Sequence, residues 1–121
     1  MIAVIFEAEP AEGREGAYLD IAADLRPLLE EIDGFISVER FKSLVSPGKL
    51  LSLSFFANEE AVSRWRNTPE HRSAQAEGRG GVFAGYRVRI AQVIRDYGMS
   101  AREEAPDDSK DCLETKGLQL P

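Results

Sequence analysis

The order in which strand and helix patterns follow one another constrains this chain more than any other feature. Residues 2–9 are rich in Ile, Val and Phe and alternate loosely, which predicts a first strand. Gly13 and Gly16 then mark a loop before apolar residues that recur at three- and four-residue spacing, which predicts an amphipathic helix. We expect Pro27 to kink this helix and Gly34 to end it. The apolar stripe comprises Tyr18, Ile21, Leu25, Leu28, Leu29 and Ile32.

A hairpin pattern follows the helix. Residues 35–44 and 50–57 predict two antiparallel strands, because residues 46–49 place Pro and Gly where a type II turn favours them. Alternation along the first of these strands divides its side chains between the two faces of a sheet. The two sets are Ile36, Val38, Arg40 and Lys42, and Phe35, Ser37, Glu39 and Phe41.

A second helix and a last strand complete the pattern. Asn58 is suited to cap a helix that runs to about Arg66, breaks, and resumes from Pro69 to about Glu77. A cluster of glycines at positions 78, 80 and 81 ends it, and residues 86–97 predict a fourth strand. One face of that strand carries Val88, Ile90, Gln92 and Ile94, and the other Arg87, Arg89, Ala91, Val93 and Arg95.

The resulting order, β-α-β-β-α-β, is that of the ferredoxin-like α+β fold, in which two helices cover one face of a four-stranded antiparallel sheet. Apolar residues occur on both faces of the predicted strands, so the uncovered face also needs a partner. We expect that partner to be a second copy of the chain, which gives a homodimer joined through the sheet faces.

Size and charge exclude several classes of protein. A length of 121 residues corresponds to one domain, and a net charge of −6 argues against nucleic acid or an anionic membrane as a partner. The first residues lack the basic segment of a signal peptide, and no apolar run is long enough to span a membrane. These features favour a cytoplasmic location. The single cysteine, Cys112, excludes a disulfide within the chain.

The C-terminal part of the chain differs in composition from the rest. Residues 99–121 contain six acidic residues, three basic residues and few large apolar ones, which predicts an extended or partly disordered tail after a domain of residues 1–98. The alternative is that Leu113, Leu118 and Leu120 dock onto the partner subunit.

Trp65 and His71 are the only tryptophan and histidine of the chain, and they flank the predicted helix break. Thr68 can cap the helix that follows, and Pro69 fits its first turn. The two rings can therefore converge from two short helices joined at an elbow and line a pocket. The alternative is that Trp65 is a core residue and that His71 bonds a backbone group across the elbow.

Familiar catalytic motifs are missing from the sequence. One histidine and one cysteine in the tail do not make a typical metal site, and no glycine-rich loop opens a helix as a phosphate site would. What remains is a set of rings and polar groups suited to a planar, partly anionic aromatic ligand. The predicted catalytic residues are His71, Trp65 and Arg72, and the predicted substrate-binding residues are Phe6, Phe41, Phe55, Phe83 and Tyr86, to which the family resemblance given next adds Gln75. Individually, the arginines at positions 40, 64, 66, 72, 87 and 89 are more often explained by solvation or intersubunit pairing than by a pocket.

Residues 34–41 and 51–56, together with Trp65, the His71-Arg72 pair, Gln75 and the Gly78-Arg79 pair, resemble the antibiotic biosynthesis monooxygenase domain of the dimeric α+β barrel superfamily. The resemblance covers about residues 1–98. It implies a pocket role for Trp65 and His71 and oxidation of the substrate without a metal or flavin cofactor. Haem-degrading relatives have a histidine where this chain has Gln75 and an asparagine on the first strand, where it has Phe6 and Glu7. These departures argue against haem degradation.

Three functions are compatible with these features. The first is a cofactor-independent monooxygenase of a small aromatic or quinol, with His71 as a general base, because the positive end of a helix disfavours a charged imidazole. The second is a small-molecule binding or stress-response module without turnover. The third is a non-oxidative isomerase or lyase on the same scaffold.

Overall fold

The computed structural model describes residues 1–108, and this part of the chain forms a sheet covered by helices on one face. The strands are β1 (Ile2–Pro10), β2 (Phe35–Lys42), β3 (Leu50–Phe56) and β4 (Phe83–Gln92), and the helices are α1 (Glu15–Glu30), α2 (Glu59–Arg66) and α3 (Pro69–Glu77). The strands lie in the order β2-β3-β1-β4, and every neighbouring pair is antiparallel. The predicted ferredoxin-like α+β fold is thus confirmed, with its second helix divided into α2 and α3.

Local signals in the sequence fix the turns and helix starts. Lys49 N donates to Ser46 O at 3.1 Å, and Gly48 has φ +85°, as the predicted type II turn between β2 and β3 requires. Asn58 Oδ1 accepts a hydrogen bond from Ala61 N at 2.9 Å and caps α2. Pro27 lies inside α1, which continues to Glu30.

Two strand predictions need correction. β2 contains a bulge at Ile36, because Phe35 pairs with Phe56 but Ser37 already pairs with Phe55. Phe35 is thereby turned to the helix-covered face, where it packs against the core, and it does not share a face with Ser37 as the alternation predicted. β4 spans Phe83–Gln92 rather than residues 86–97, since Gln92 pairs with Ile2, the first residue of β1. Beyond that pair, the neighbouring strand has ended.

Gly34 is required where α2 crosses the start of β2. Its φ is +91°, and an added Cβ would lie 2.8 Å from the Cβ of Ala61. The chain therefore needs glycine here both for the backbone conformation and for the close approach of α2. Gly34 lies in the turn after α1 rather than at the end of the helix, which is at Glu30.

The core under the helices consists of two apolar clusters. The first is made of Ile2, Leu29, Val38, Phe56, Ala61 and Val62, with Val4, Phe35 and Trp65 packed against it. The second is made of Ala8, Tyr18, Leu50 and Val82, with Phe6, Ile21 and Phe83 packed against it. The clusters lie at opposite ends of β1 and β3, so the middle of the sheet between them is not filled by buried apolar side chains.

None of the helices α1, α2 and α3 covers the opposite face of the sheet. Phe41 is 42% exposed there, and Phe55 is half-buried. Glu7 lies between two cations on this face, 3.3 Å from Arg89 Nη1 and 3.7 Å from Lys49 Nζ. Cys112 and the predicted docking of Leu113, Leu118 and Leu120 lie outside the described residues, and the domain boundary at residue 98 stays a prediction.

Candidate functional site

A cavity of about 520 Å³ lies between the helices and the sheet, a size typical of small-molecule sites. The sheet supplies its floor, α1 one wall, and the α2–α3 elbow and the start of β4 the others. Its floor residues are Val4 and Phe6 on β1, Arg40 on β2, Ser52 and Ser54 on β3, and Val88 and Ile90 on β4.

The alternating sequence of β3 explains why the cavity exists. The residues of β3 that face the helices are Leu50, Ser52, Ser54 and Phe56, and only the outer two are large. Leu50 and Phe56 each belong to one of the two core clusters, whereas the serines between them are too small to reach the helices. Two small polar residues at the centre of the sheet therefore leave a ligand-sized space where a core would otherwise close.

Trp65 and His71 meet at the wall of this cavity. Their ring centroids are 5.1 Å apart and the ring planes are inclined by 52°. Thr68 joins the helices that carry them, because its Oγ1 donates to Trp65 O at 2.8 Å and accepts from His71 N at 3.2 Å. The predicted convergence of the two rings across a capped helix break is present in the structure.

His71 is held in an environment that favours its neutral form. Burial lowers the pKa of the imidazole from its usual 6.5, and the nearby Arg66 guanidinium lowers it further, although the Arg66 backbone partly offsets both effects. Nδ1 is enclosed and has no partner of good hydrogen-bond geometry among the described residues. The imidazole nevertheless lies close enough to the Arg66 backbone for a hydrogen bond there to favour its charged form, so the alternative that His71 bonds a backbone group across the elbow stays open.

Four aromatic rings line the other end of the cavity. Phe6 contacts Phe83 at 5.6 Å and Tyr86 at 5.7 Å between centroids, and Tyr18 contacts Phe83 at 5.3 Å. The edge-to-face geometry of Phe83 against Phe6 and Tyr18 is the arrangement that aromatic quadrupoles prefer. These rings offer a rigid apolar surface to a ligand.

A π-helical turn between α3 and β4 positions Phe83. The turn spans Gly78–Val82, and Gly81 within it has φ +122°. A Cβ on Gly78 would lie 2.7 Å from Cε2 of Phe83, so this ring rests directly on the glycine. The glycine cluster therefore does more than end the helix, because it makes room for one of the cavity's aromatic walls.

Among residues 1–108, cationic side chains line the cavity and acidic ones do not. Arg26, Arg40, Arg66 and Arg79 all border it, and no Asp or Glu of this part of the chain does. Arg26 pairs with Glu30 at 3.1 Å, whereas the other three form no ion pair within residues 1–108. The cavity is thus cationic although the whole chain carries a net charge of −6.

The structure brings six of the nine predicted site residues together. The cavity is lined by Phe6, Trp65, His71, Gln75, Phe83 and Tyr86. Phe41 and Phe55 lie on the opposite face of the sheet, because side chains alternate along a strand and each of them is adjacent in sequence to a residue that faces the helices. Arg72 is exposed and donates to Asn67 Oδ1. This geometry does not support a place in the pocket for these three residues.

Several residues that line the cavity were not among the site residues predicted from the sequence. Arg40, Ser52 and Ser54 border the cavity from the sheet, and Tyr18 borders it from α1. Strand alternation was the available signal for Arg40, which shares a face with the buried Val38.

The described residues contain no group of three or more His, Cys, Asp or Glu side chains that could hold a metal ion. Over the same part of the chain, no helix is long and apolar enough to cross a membrane.

Comparison with known proteins gives consistent matches. The family model for antibiotic biosynthesis monooxygenase matches residues 1–77. Jasmonate monooxygenase ABM of Pyricularia oryzae is 50% identical over 93 residues, which are 77% of this chain and 43% of that protein. The chain thus spans less than half the length of this fungal relative. The uncharacterized protein YqjZ of Bacillus subtilis is 31% identical over 93 residues, which cover 77% of this chain and 79% of that protein.

Solved structures share the fold at low sequence identity. A putative antibiotic biosynthesis monooxygenase from Deinococcus radiodurans superposes with a TM-score of 0.73 at 11% identity, covering 81% of this chain and 97% of that one. A second, from Caulobacter crescentus, gives a TM-score of 0.69 at 17% identity, covering 77% and 89% of the two chains. At these identities the likeness concerns the fold.

Proposed function

Because this chain belongs to the antibiotic biosynthesis monooxygenase family, we propose that it is a monooxygenase that oxidises a small aromatic or quinol substrate without a metal or flavin. The observation that carries the proposal is the Trp65–His71 pair at the wall of a mostly apolar cavity of about 520 Å³. A cavity of this kind holds a planar substrate against its rings and brings its hydroxyl to a neutral imidazole.

The chemistry assigned to the chain is proton removal and stabilisation of charge. His71 Nε2 accepts the hydroxyl proton of the substrate, and the resulting anion supplies the electrons that reduce O₂. All four electrons come from the substrate, as when a phenol becomes a quinone: a ring carbon exchanges its hydrogen for one oxygen atom, and the other oxygen leaves as water with that hydrogen and the hydroxyl proton. The cationic side chains that border the cavity favour both the substrate anion and the negative charge that develops on oxygen. The aromatic walls exclude bulk water, which strengthens these interactions.

Jasmonate is the second candidate substrate, and because it has no phenolic hydroxyl, His71 would take a proton from a carbon next to its ketone. The Pyricularia oryzae relative, 50% identical over 93 residues, is a jasmonate monooxygenase by name. Jasmonate is a small apolar molecule with a carboxylate, and a cavity with arginines and no acidic side chains suits that charge.

We further propose a homodimer joined through the open face of the sheet, and a cytoplasmic location. Half-buried and exposed apolar side chains on that face, among them Phe41 and Phe55, support the dimer. An area of this kind is stabilised when a second apolar surface removes it from water.

Oxygen uptake tests the proposal. Protein treated with a chelator is offered a panel of quinols, polycyclic phenols and jasmonate, with wild type beside His71→Ala and Trp65→Phe. Ser73→Ala, an exposed position on α3, serves as the matched control. We expect uptake by wild type and the control, and a fall in both site variants.

Other outcomes would favour the two remaining functions. Thermal stabilisation by several compounds with no uptake for any of them would indicate a binding module without turnover. Product formation that persists under nitrogen would indicate a non-oxidative isomerase or lyase.

A further inference from the structure

Arg40 is a cation without a partner on the floor of the cavity. It lies on β2 opposite Ser52 of β3, and its side chain faces the helices, as does that of Val38 two residues earlier. Its Nε is enclosed and has no hydrogen-bond partner, and no described carboxylate lies within ion-pair distance of its guanidinium. An enclosed N–H without a hydrogen-bond partner is costly to the free protein, and the half-buried guanidinium that carries it is open to a partner from outside the described residues.

The neighbours of Arg40 on the floor are also polar and unpartnered. Ser52 pairs with Arg40 across the strands, and Ser54 is one step further along the same face of β3. The hydroxyl groups of these serines make no hydrogen bond to any described residue. A guanidinium and two hydroxyls thus form one polar patch between the two apolar core clusters.

We propose that this patch, Arg40 with Ser52 and Ser54, binds a carboxylate of the substrate and so favours small apolar acids over uncharged molecules of the same shape. The inference rests on the proposed function, because it concerns the same cavity. A planar guanidinium matches the two oxygens of a carboxylate, and serine hydroxyls donate to the lone pairs that remain. A carboxylate is already ionised at neutral pH, whereas a phenol ordinarily is not.

The position of the patch also sets the orientation of the substrate. The patch belongs to the sheet, whereas Trp65 and His71 belong to the helices that face the sheet across the cavity. A carboxylate held by Arg40 leaves the rest of the molecule to extend toward those rings. The group that is oxidised is therefore at the end of the substrate remote from its carboxylate.

Binding of matched acids and esters tests the inference. The probes are jasmonic acid and 2-naphthoic acid, each beside its methyl ester, with dissociation constants measured by calorimetry. The variants are Arg40→Met, which keeps the aliphatic stem but removes the charge, and Arg14→Met, which makes the same change of net charge at an exposed site outside the cavity.

Wild type and Arg14→Met should bind at least one of the acids about tenfold more tightly than its ester, and Arg40→Met should lose this preference. Arg40→Lys should retain part of the preference for the acid, and the Ser52→Ala, Ser54→Ala double variant should reduce this preference. These two proteins keep the test decisive if Arg40→Met does not fold. An unchanged preference in a folded Arg40→Met protein, or equal binding of acid and ester by wild type, would overturn the inference.

Oxygen uptake, measured in parallel, separates this inference from the proposed function. Uptake with phenols together with equal binding of acids and esters would refute the carboxylate site and leave the monooxygenase proposal standing. Binding of an acid that depends on Arg40, together with no oxygen uptake from any probe, would support the carboxylate site and refute the monooxygenase proposal.

Discussion

The Trp65 indole and the His71 imidazole lie 5.1 Å apart across a helix break, and one hydroxyl group ties together the backbones that carry them. Thr68 Oγ1 donates to Trp65 O and accepts from His71 N, so it ends α2 and starts α3 at the same time. The relative position of the two rings thus depends on a short, fully hydrogen-bonded elbow rather than on a flexible loop.

Thr68→Val tests how much the Thr68 hydroxyl contributes to the stability of the elbow between α2 and α3. The substitution keeps the shape of the side chain and removes both hydrogen bonds, so we expect a loss of about 1–2 kcal/mol in the free energy of unfolding. Thr68→Ser keeps the hydroxyl and should lose much less. Urea unfolding measures both variants, and equal losses in the two would show that the hydroxyl does not hold the elbow.

The pH profile of turnover should show the state of His71. Because burial holds its pKa below 6.5, the neutral imidazole predominates at pH 7. We expect kcat/KM to be flat above neutral pH and to fall as acidification protonates the base, with an inflection below pH 6.5. His71→Gln should remove this inflection along with most of the activity. A wild-type profile without an inflection in the acid range would contradict the role of His71 as base.

The free energy of unfolding should also depend on the protonation of His71. The unfolded chain binds a proton at a higher pH than the folded chain, so the contribution of His71 is present above pH 6.5 and is lost as the pH falls through the lower folded value. Urea unfolding at pH 7.5 and 5 should therefore show a smaller loss in His71→Gln than in wild type. An equal loss in the two proteins would mean that His71 is not buried in its neutral form.

Gly78 and Gly80 provide a matched pair in the π-helical turn. A Cβ on Gly78 would meet the Phe83 ring at 2.7 Å, whereas one on Gly80 would have nothing within 4 Å. We expect Gly78→Ala to cost about 1–3 kcal/mol and to weaken ligand binding, because Phe83 must move from the cavity wall. Gly80→Ala should change neither property. Thermal unfolding with and without ligand distinguishes the two, and indistinguishable variants would refute the packing role of Gly78.

Phe55 on the open face of the sheet tests the proposed dimer. Phe55→Glu places a charge on the surface that a second copy would bury, so we expect the variant to be monomeric by light scattering. Leu19→Glu, on α1 and away from the sheet, should leave the assembly unchanged. A monomeric wild type, or a dimer that survives Phe55→Glu, would contradict an interface through this face.

Local sequence signals were sufficient for the fold but only partly for the site. The type II turn and the caps at Asn58 and Thr68 depend on neighbouring residues, and they are present as predicted. The bulge at Ile36 depends on how β2 pairs with β3, which the alternation of one strand does not reveal.

The errors in the site arose from giving residue type more weight than strand face. Phe41 and Phe55 were assigned to the pocket because they are aromatic, although the alternation of β2 already placed Phe41 opposite Val38 and Arg40. Arg40 is the reverse case, since the alternation placed it on the same face as Val38 but its charge suggested solvent or a partner subunit. The enclosure of its Nε without a hydrogen-bond partner becomes evident only from the packing around it.

Turnover under ¹⁸O₂ tests whether the protein is a monooxygenase. A substrate that supports oxygen uptake is incubated with wild type under labelled oxygen in unlabelled water, and the product is analysed by mass spectrometry. We expect the product to gain one ¹⁸O atom and His71→Ala to abolish this gain. A product whose new oxygen comes from water, or which gains no oxygen at all, would contradict a monooxygenase.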